Sequence, residues 1–174
     1  ECRPLIGVLT DHVHTPRAIA KRMMEYHLDK DYTMRVAEHL GNPKKEKIYN
    51  IYSIEEISEM SFSCPNCVLL MKAPNSTQQR PTLGIPDTKF VLLNDRAKMI
   101  TKAPIRVIDL SLLELHNSRT FWDIGACTGS VSIEARRQYP HLNIQAFEVR
   151  EECKDIIRAN ARLHSAPGID LHIG

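Results

Sequence analysis

The stretch Thr120–Ala135, TFWDIGACTGSVSIEA, decides how the second half of the chain is read. Apolar residues run into an acid, Asp123, then into a turn carrying Gly125 and Gly129, then into a helical pattern. A strand that ends in a glycine-bearing turn and reopens as a helix lets a ligand press close to main-chain N–H groups. Working outward, "NIQAFEV" reads as a second strand, "REECKDIIRANARLH" as a helix and "IDLHIG" as a third strand, with Pro140 ending the helix before them. This regular alternation predicts right-handed βαβ crossovers and a parallel sheet. Two crossover helices make a small sheet, so the expectation is a truncated one. Upstream, a helix is predicted from about Lys102 to Leu115, with Ile105, Ile108, Leu112 and Leu115 on one stripe.

The first half is organised differently. "PLIGVLT" reads as a buried strand, and "TPRAIAKRMMEYHL" as a helix with Thr15 as N-cap and Pro16 at its first position. Ile19, Ala20, Met23 and Met24 form its core face. "YTMRVAE" and "KIYNIY" are strand candidates joined by the turn-rich "HLGNPKKE". Ser53 and Glu56 have capping-box spacing at the head of "SIEEISEM", and "CVLLMK" closes the unit as a strand. The order β-α-β-β-α-β predicts an α/β layer structure. Ala73–Leu83, polar and with two prolines, reads as a linker.

Composition narrows the function classes. At 174 residues, with 43% hydrophobic and 25% charged residues, the chain fits one ordinary domain or two small ones. No apolar run approaches the roughly 18 residues of a bilayer span, so no membrane is expected. A net charge of +2 with interspersed signs argues against a nucleic-acid surface. Five cysteines and no signal-peptide pattern fit a reducing, cytoplasmic setting. Cys64 and Cys67 form a CxxC that leads into a strand, which fits a turn around Pro65-Asn66. With Cys2, Cys127 and Cys153 scattered singly, no metal site is expected. His12 and His14 read as solvated loop residues.

The turn itself discriminates between ligands. A dinucleotide fingerprint needs glycine at 125, 127 and 130, where this chain has Cys127 and Ser130 in the last two places. The G-x-G-x-G turn of S-adenosylmethionine (SAM) methyltransferases needs glycine at 125, 127 and 129 and finds two of three. Asp123 fits that ligand, which carries an ammonium and a sulfonium but no phosphate. Glu148 ends the second strand 25 residues later, where a carboxylate can accept both ribose hydroxyls; the alternative is a strand-end acid facing water. Cys127 is tolerated if its Cβ points away from the pocket or its φ is negative, and no neighbouring histidine or lysine in sequence suggests a nucleophile.

"GIPDTKF", "MITKAPIR", "FWDIGACTGSVSIEA" and "AFEV", in that order, resemble the C15-methylating half of the precorrin-6Y C(5,15)-methyltransferases of cobalamin biosynthesis. "VLTDHVHTPRAIAKRMMEY", "YTMRVAEHLG" and "CVLLMK" resemble the second lobe of their C5-methylating, tetrapyrrole methylase half. The resemblance implies residues 1–73 as that lobe, 74–84 as the fusion joint, and 85–174 as the start of a Rossmann-like class I methyltransferase module. It implies SAM contacts at Thr101, at Gly125, Ala126, Cys127, Thr128 and Gly129, and at Glu148, alongside Asp123. The implied substrate is an anionic precorrin macrocycle, methylated at C5 and C15 with decarboxylation of the C12 acetate, and the implied assembly is a homo-oligomer. Arg96, Lys98, Lys102 and Arg106 are candidates to meet its carboxylates or are surface charges. No catalytic residue is assigned. The cofactor loop alone leaves RNA or protein as alternative substrates, and an inactive fragment with incomplete active sites is a further alternative.

Overall fold

The structure is a computed structural model that describes residues 5–50, 53–73 and 82–174. The chain divides into two units, Glu1–Gln79 and Arg80–Gly174.

The first unit runs β1 (Leu5–Leu9), α1 (Pro16–Glu25), β2 (Tyr32–Glu38), β3 (Lys47–Tyr49), α2 (Ile54–Glu59) and β4 (Asn66–Lys72), the order the sequence predicts. The strands form one antiparallel sheet in the order β1-β4-β2-β3. Alternation in β2 explains its facing: Met34, Val36 and Glu38 are buried while Thr33 and Arg35 are exposed. Ala20 and Met23 from α1 and Ile54 and Ile57 from α2 close the core over Met34, Val36, Val68 and Leu70. Thr15 caps α1 by accepting the Ala18 N–H at 3.2 Å, and Ser53 and Glu56 make a complete capping box on α2. His14 pairs with Asp11 at the exposed turn before α1.

Two expectations change here. β1 is an edge strand, and its alternate residues Leu5 and Leu9 are 56% and 91% exposed, because period two turns them away from the helices. With Leu69 and Ile48, Leu9 lines an apolar groove on the helix-free face. "KIYNIY" forms strand only at Lys47–Tyr49; residues 51–52, like the linker residues 74–81, lie outside the described residues.

The second unit opens with single helical turns and then α3 (Ala103–Leu112), followed by β5 (Thr120–Ile124), α4 (Ser130–Gln138), β6 (Asn143–Glu148), α5 (Cys153–Leu163) and β7 (Ile169–Ile173). β5-β6-β7 form the predicted parallel sheet, in register Phe121↔Ile144 and Ala146↔Leu171. Phe121, Ile144, Leu110, Leu115 and Ala135 make one apolar cluster, and Leu93, Ala126, Ala146, Cys153 and Ile157 another. No helix among the described residues is long and apolar enough to cross a membrane.

The stripe expected on α3 is not its buried face. Ile105, Ile108 and Leu112 are 50%, 53% and 76% exposed, whereas Arg106 and Leu110 are fully buried. The cause is Arg106. Its guanidinium donates to Glu134 Oε1 at 2.7 Å, to Asp87 Oδ1 at 2.8 Å, and to the carbonyls of Thr101 and Ile85. A buried cation is tolerated only when fully paired, and that pairing turns Arg106 and the residue one turn on, Leu110, inward. Leu115 is buried from a separate helical turn, after Glu114 breaks α3 with φ of +47°.

Candidate functional site

The site forms where β5 and β6 end side by side. Parallel register sets Ile124 against Phe147, so the turn after β5 lies over the end of β6. There the Phe147 carbonyl accepts the N–H groups of both Gly125 (2.9 Å) and Ala126 (3.0 Å). Glu148, 3% exposed, accepts the Cys127 N–H through Oε2 at 2.9 Å and the Arg150 N–H through Oε1 at 3.0 Å. Its carboxylate fastens two loops at once. Gly125, Cys127 and Gly129 all have left-handed backbone, with φ of +83°, +47° and +72°. Glycine adopts this freely at 125 and 129; at Cys127 it costs about 1–2 kcal/mol. The φ at Cys127 is therefore not the negative value that sequence reasoning offered as one route to tolerance.

Against this turn lies a cavity of about 340 Å³, lined by Lys98–Thr101, Gly125–Thr128 and Arg150. That volume is at the lower end of the range for small-molecule sites. Of the residues that the resemblance implied, Thr101, Gly125, Ala126, Cys127 and Thr128 line this cavity. Gly129, Asp123 and Glu148 are not among its lining residues. Gly129 is the N-cap of α4, and a Cβ there would come 3.0 Å from Ile157. Asp123 accepts the N–H and the hydroxyl of Ser132, at 3.1 and 2.5 Å, and so ties β5 to α4. Burial raises the Asp123 pKa above the usual carboxylate range, against the Ser132 hydrogen bonds that lower it.

Sequence reasoning passed over Glu134 and Asn160 and gave Arg106 another role, although all three build this site. Arg106 anchors the Thr101 carbonyl, Glu134 holds the Gly84 N–H at 2.7 Å, and Asn160 donates to the Thr128 carbonyl at 2.9 Å. Their partners lie 5 to 50 residues away, so no local pattern marks them. Arg106 is accordingly withdrawn as a group that meets a substrate: it is neither a surface charge nor exposed to the cavity. Lys102 lies 3.4 Å from Asp87, whereas Lys98 lines the cavity. Burial would raise the Asp87 pKa, but the Arg106 hydrogen bond and charge outweigh it and hold it below the usual value.

The cysteines are also arranged otherwise than their spacing suggested. The Cys127 and Cys153 sulfurs and a Glu148 carboxylate oxygen all lie within 4.8 Å of one another. Arg150 supplies the cation that sequence neighbours of Cys127 lack, its Nη1 3.7 Å from the Cys127 sulfur. The Glu148 charge raises the Arg150 pKa, keeping that guanidinium charged.

A donor set of this kind suits a cationic ligand better than a phosphate. Three turn amides are already satisfied within the protein, and a buried carboxylate lies beneath them. Residues 93–174 match the family model described as "Precorrin methyltransferase domain". The matched stretch lies within the second unit. Over 72 residues, 41% of the chain, it is 39% identical to a cobalt-precorrin-6B C(15)-methyltransferase (decarboxylating) of Salmonella typhimurium, covering 38% of that relative. Over 162 residues, 88% of the chain, it is 27% identical to a precorrin-6Y C(5,15)-methyltransferase [decarboxylating] of Mycobacterium tuberculosis, covering 37% of it. The chain thus spans less than two fifths of these two relatives' lengths. A crystal structure of precorrin-6y C5,15-methyltransferase from Geobacter metallireducens GS-15 is 35% identical, with a TM-score of 0.49 over 55% of this chain and 50% of that one.

Proposed function

We propose that the second unit is the cofactor-binding part of a SAM-dependent precorrin methyltransferase. The cavity between the Thr101 segment and the Gly125–Thr128 turn, with Glu148 fastening that turn from below, is the observation that carries this reading. SAM supplies an electrophilic methyl group on a sulfonium. The protein's own part in such an in-line displacement is to position the partners and exclude water. The turn, with its three amides satisfied, offers a fixed wall to the cofactor. Glu148 keeps unused lone pairs on both oxygens and is the carboxylate we assign to the ribose hydroxyls. Asp123, which accepts from Ser132, is the carboxylate we assign to the cofactor's ammonium, directly or through water. Lys98, at the cavity lip, is the cation we assign to a precorrin carboxylate.

The two-site version of the activity, methylation at C5 and C15 with decarboxylation of the C12 acetate in cobalamin biosynthesis, is supported by how far the relatives align. Two relatives named C(5,15) match over 162 and 158 residues, well into the first unit, whereas a third matches over 72 residues, and those named C(15) over 52 to 89. On this reading residues 1–73 are the second lobe of a tetrapyrrole C5 methylase, 74–84 the joint and 85–174 the start of the C15 module.

Calorimetric titration of S-adenosylhomocysteine into the chain tests the proposal. Binding is expected, and Glu148→Ala should weaken it at least tenfold, about 1.4 kcal/mol, with thermal unfolding run alongside to show that the variant is folded. No heat with the wild-type chain, or equal affinity in a folded Glu148→Ala, contradicts it.

A further inference from the structure

We infer that Cys127 and Cys153 form a reactive dithiol at the wall of the cavity, which a hydroperoxide converts into an intramolecular disulfide. Neither thiol is marked by its sequence neighbours. The parallel pairing of β5 and β6 brings their two following loops together, and with them the two sulfurs, inside 4.8 Å. A modest side-chain rotation closes such a pair to bonding distance when the backbone positions permit it.

The surroundings give the two thiols different roles. Cys127 lines the cavity, where a small oxidant can reach it, and the Arg150 guanidinium stands 3.7 Å from its sulfur. Cys153, the first residue of α5, is fully buried behind it. Burial, and then the nearby Cys127 and Glu148, push the Cys153 thiol up to about 11, so it stays protonated and waits as the resolving partner.

The steps balance. The Cys127 thiolate attacks one peroxide oxygen and the O–O bond breaks, leaving a Cys127 sulfenic acid and a hydroxide that takes up a proton. The Cys153 sulfur then attacks the Cys127 sulfur. The new S–S bond forms as the S–O bond breaks, and the oxygen leaves as water with the Cys153 proton. Two thiols and one peroxide become one disulfide and two waters. Because Cys127 lies on the cavity wall, a cofactor bound there shields it; this consequence rests on the proposed function, whereas the disulfide itself does not.

The test treats the intact chain with hydrogen peroxide, blocks free thiols by alkylation and maps the peptides by mass spectrometry. The expected product is a dithiothreitol-reversible Cys127–Cys153 peptide that Cys127→Ser abolishes. Cys64 and Cys67 serve as internal reference thiols, exposed and half-buried in the first unit. In Cys153→Ala, or more gently Cys153→Ser, Cys127 should instead advance to the sulfinic acid. The inference is overturned if wild-type Cys127 and Cys153 are both alkylated after peroxide, or if wild-type Cys127 accumulates as sulfinic acid. S-adenosylhomocysteine at ten times its Kd should slow cross-linking about tenfold. Cross-linking that it fails to slow leaves the dithiol standing and counts against the cofactor site.

Discussion

Helices in the two units meet the same requirement by different means. In the first unit, the exposed N–H groups at the start of α1 and α2 are satisfied by Thr15 and Ser53, three residues from their partners. In the second unit, α3 and α4 have no side-chain cap from their own N-cap residues, Lys102 and Gly129. An acid from elsewhere does the work: Asp87 accepts the Ala103 N–H at 3.0 Å across 16 residues, and Asp123 accepts the Ser132 N–H across nine. The energetic need is the same, since an unpaired N–H is costly in either unit. What differs is that local caps stabilise one helix, whereas remote acids tie a helix to the strand or loop before it. The second arrangement fixes the walls of a cavity, and it is the one found around the candidate site.

Removing the remote anchors should therefore cost more than removing a local cap. Arg106→Met leaves buried Glu134 without its counter-charge and should destabilise the second unit by about 3–5 kcal/mol. Trp122, the chain's single tryptophan, lies in β5 and reports that unit, so its fluorescence in a denaturant series reads the effect. A loss under about 1 kcal/mol would mean that the network contributes no more than a surface pair. Gly129→Ala comes next. Its φ of +72° and the 3.0 Å approach to Ile157 predict a loss of about 1–2 kcal/mol, again in the Trp122 transition. Thr15→Ala should cost about 1 kcal/mol, seen by circular dichroism as loss of α1, with the Trp122 transition unmoved.

The smallest effect is in alkaline pH. The folded state raises the Cys153 pKa, so its thiol contributes stability in full below the unfolded value of about 8.5, and loses it as pH rises through about 11. The stability of wild type relative to Cys153→Ala should accordingly shrink over that window. A difference that is flat from neutral pH to beyond 11 would show that burial does not hold this thiol neutral.

The contrast between caps also explains what could be read from sequence. Thr15, Ser53 and Glu56 act within one helical turn, so their spacing announces them, and the strand alternation of Met34, Val36 and Glu38 is equally local. The Gly125–Gly129 turn was legible because two of its three left-handed positions carry glycine. Arg106, Glu134 and Asn160 were not legible. A charged or amide side chain on a helix reads as surface unless its partners are known, and theirs come from distant segments. For the same reason the apolar stripe of α3 pointed to the wrong face: one paired arginine outweighed Ile105, Ile108 and Leu112. The meeting of Cys127 with Cys153 likewise follows from strand register, not from spacing.

Hydrogen exchange with and without S-adenosylhomocysteine tests the central claim most directly, because it reads both units in one experiment. The account predicts slowed exchange in peptides covering Lys98–Thr101, Gly125–Thr128 and Arg150, with the first unit unchanged. Slowing centred instead on the apolar groove of Leu9, Ile48 and Leu69, or no slowing at saturating ligand, would contradict it.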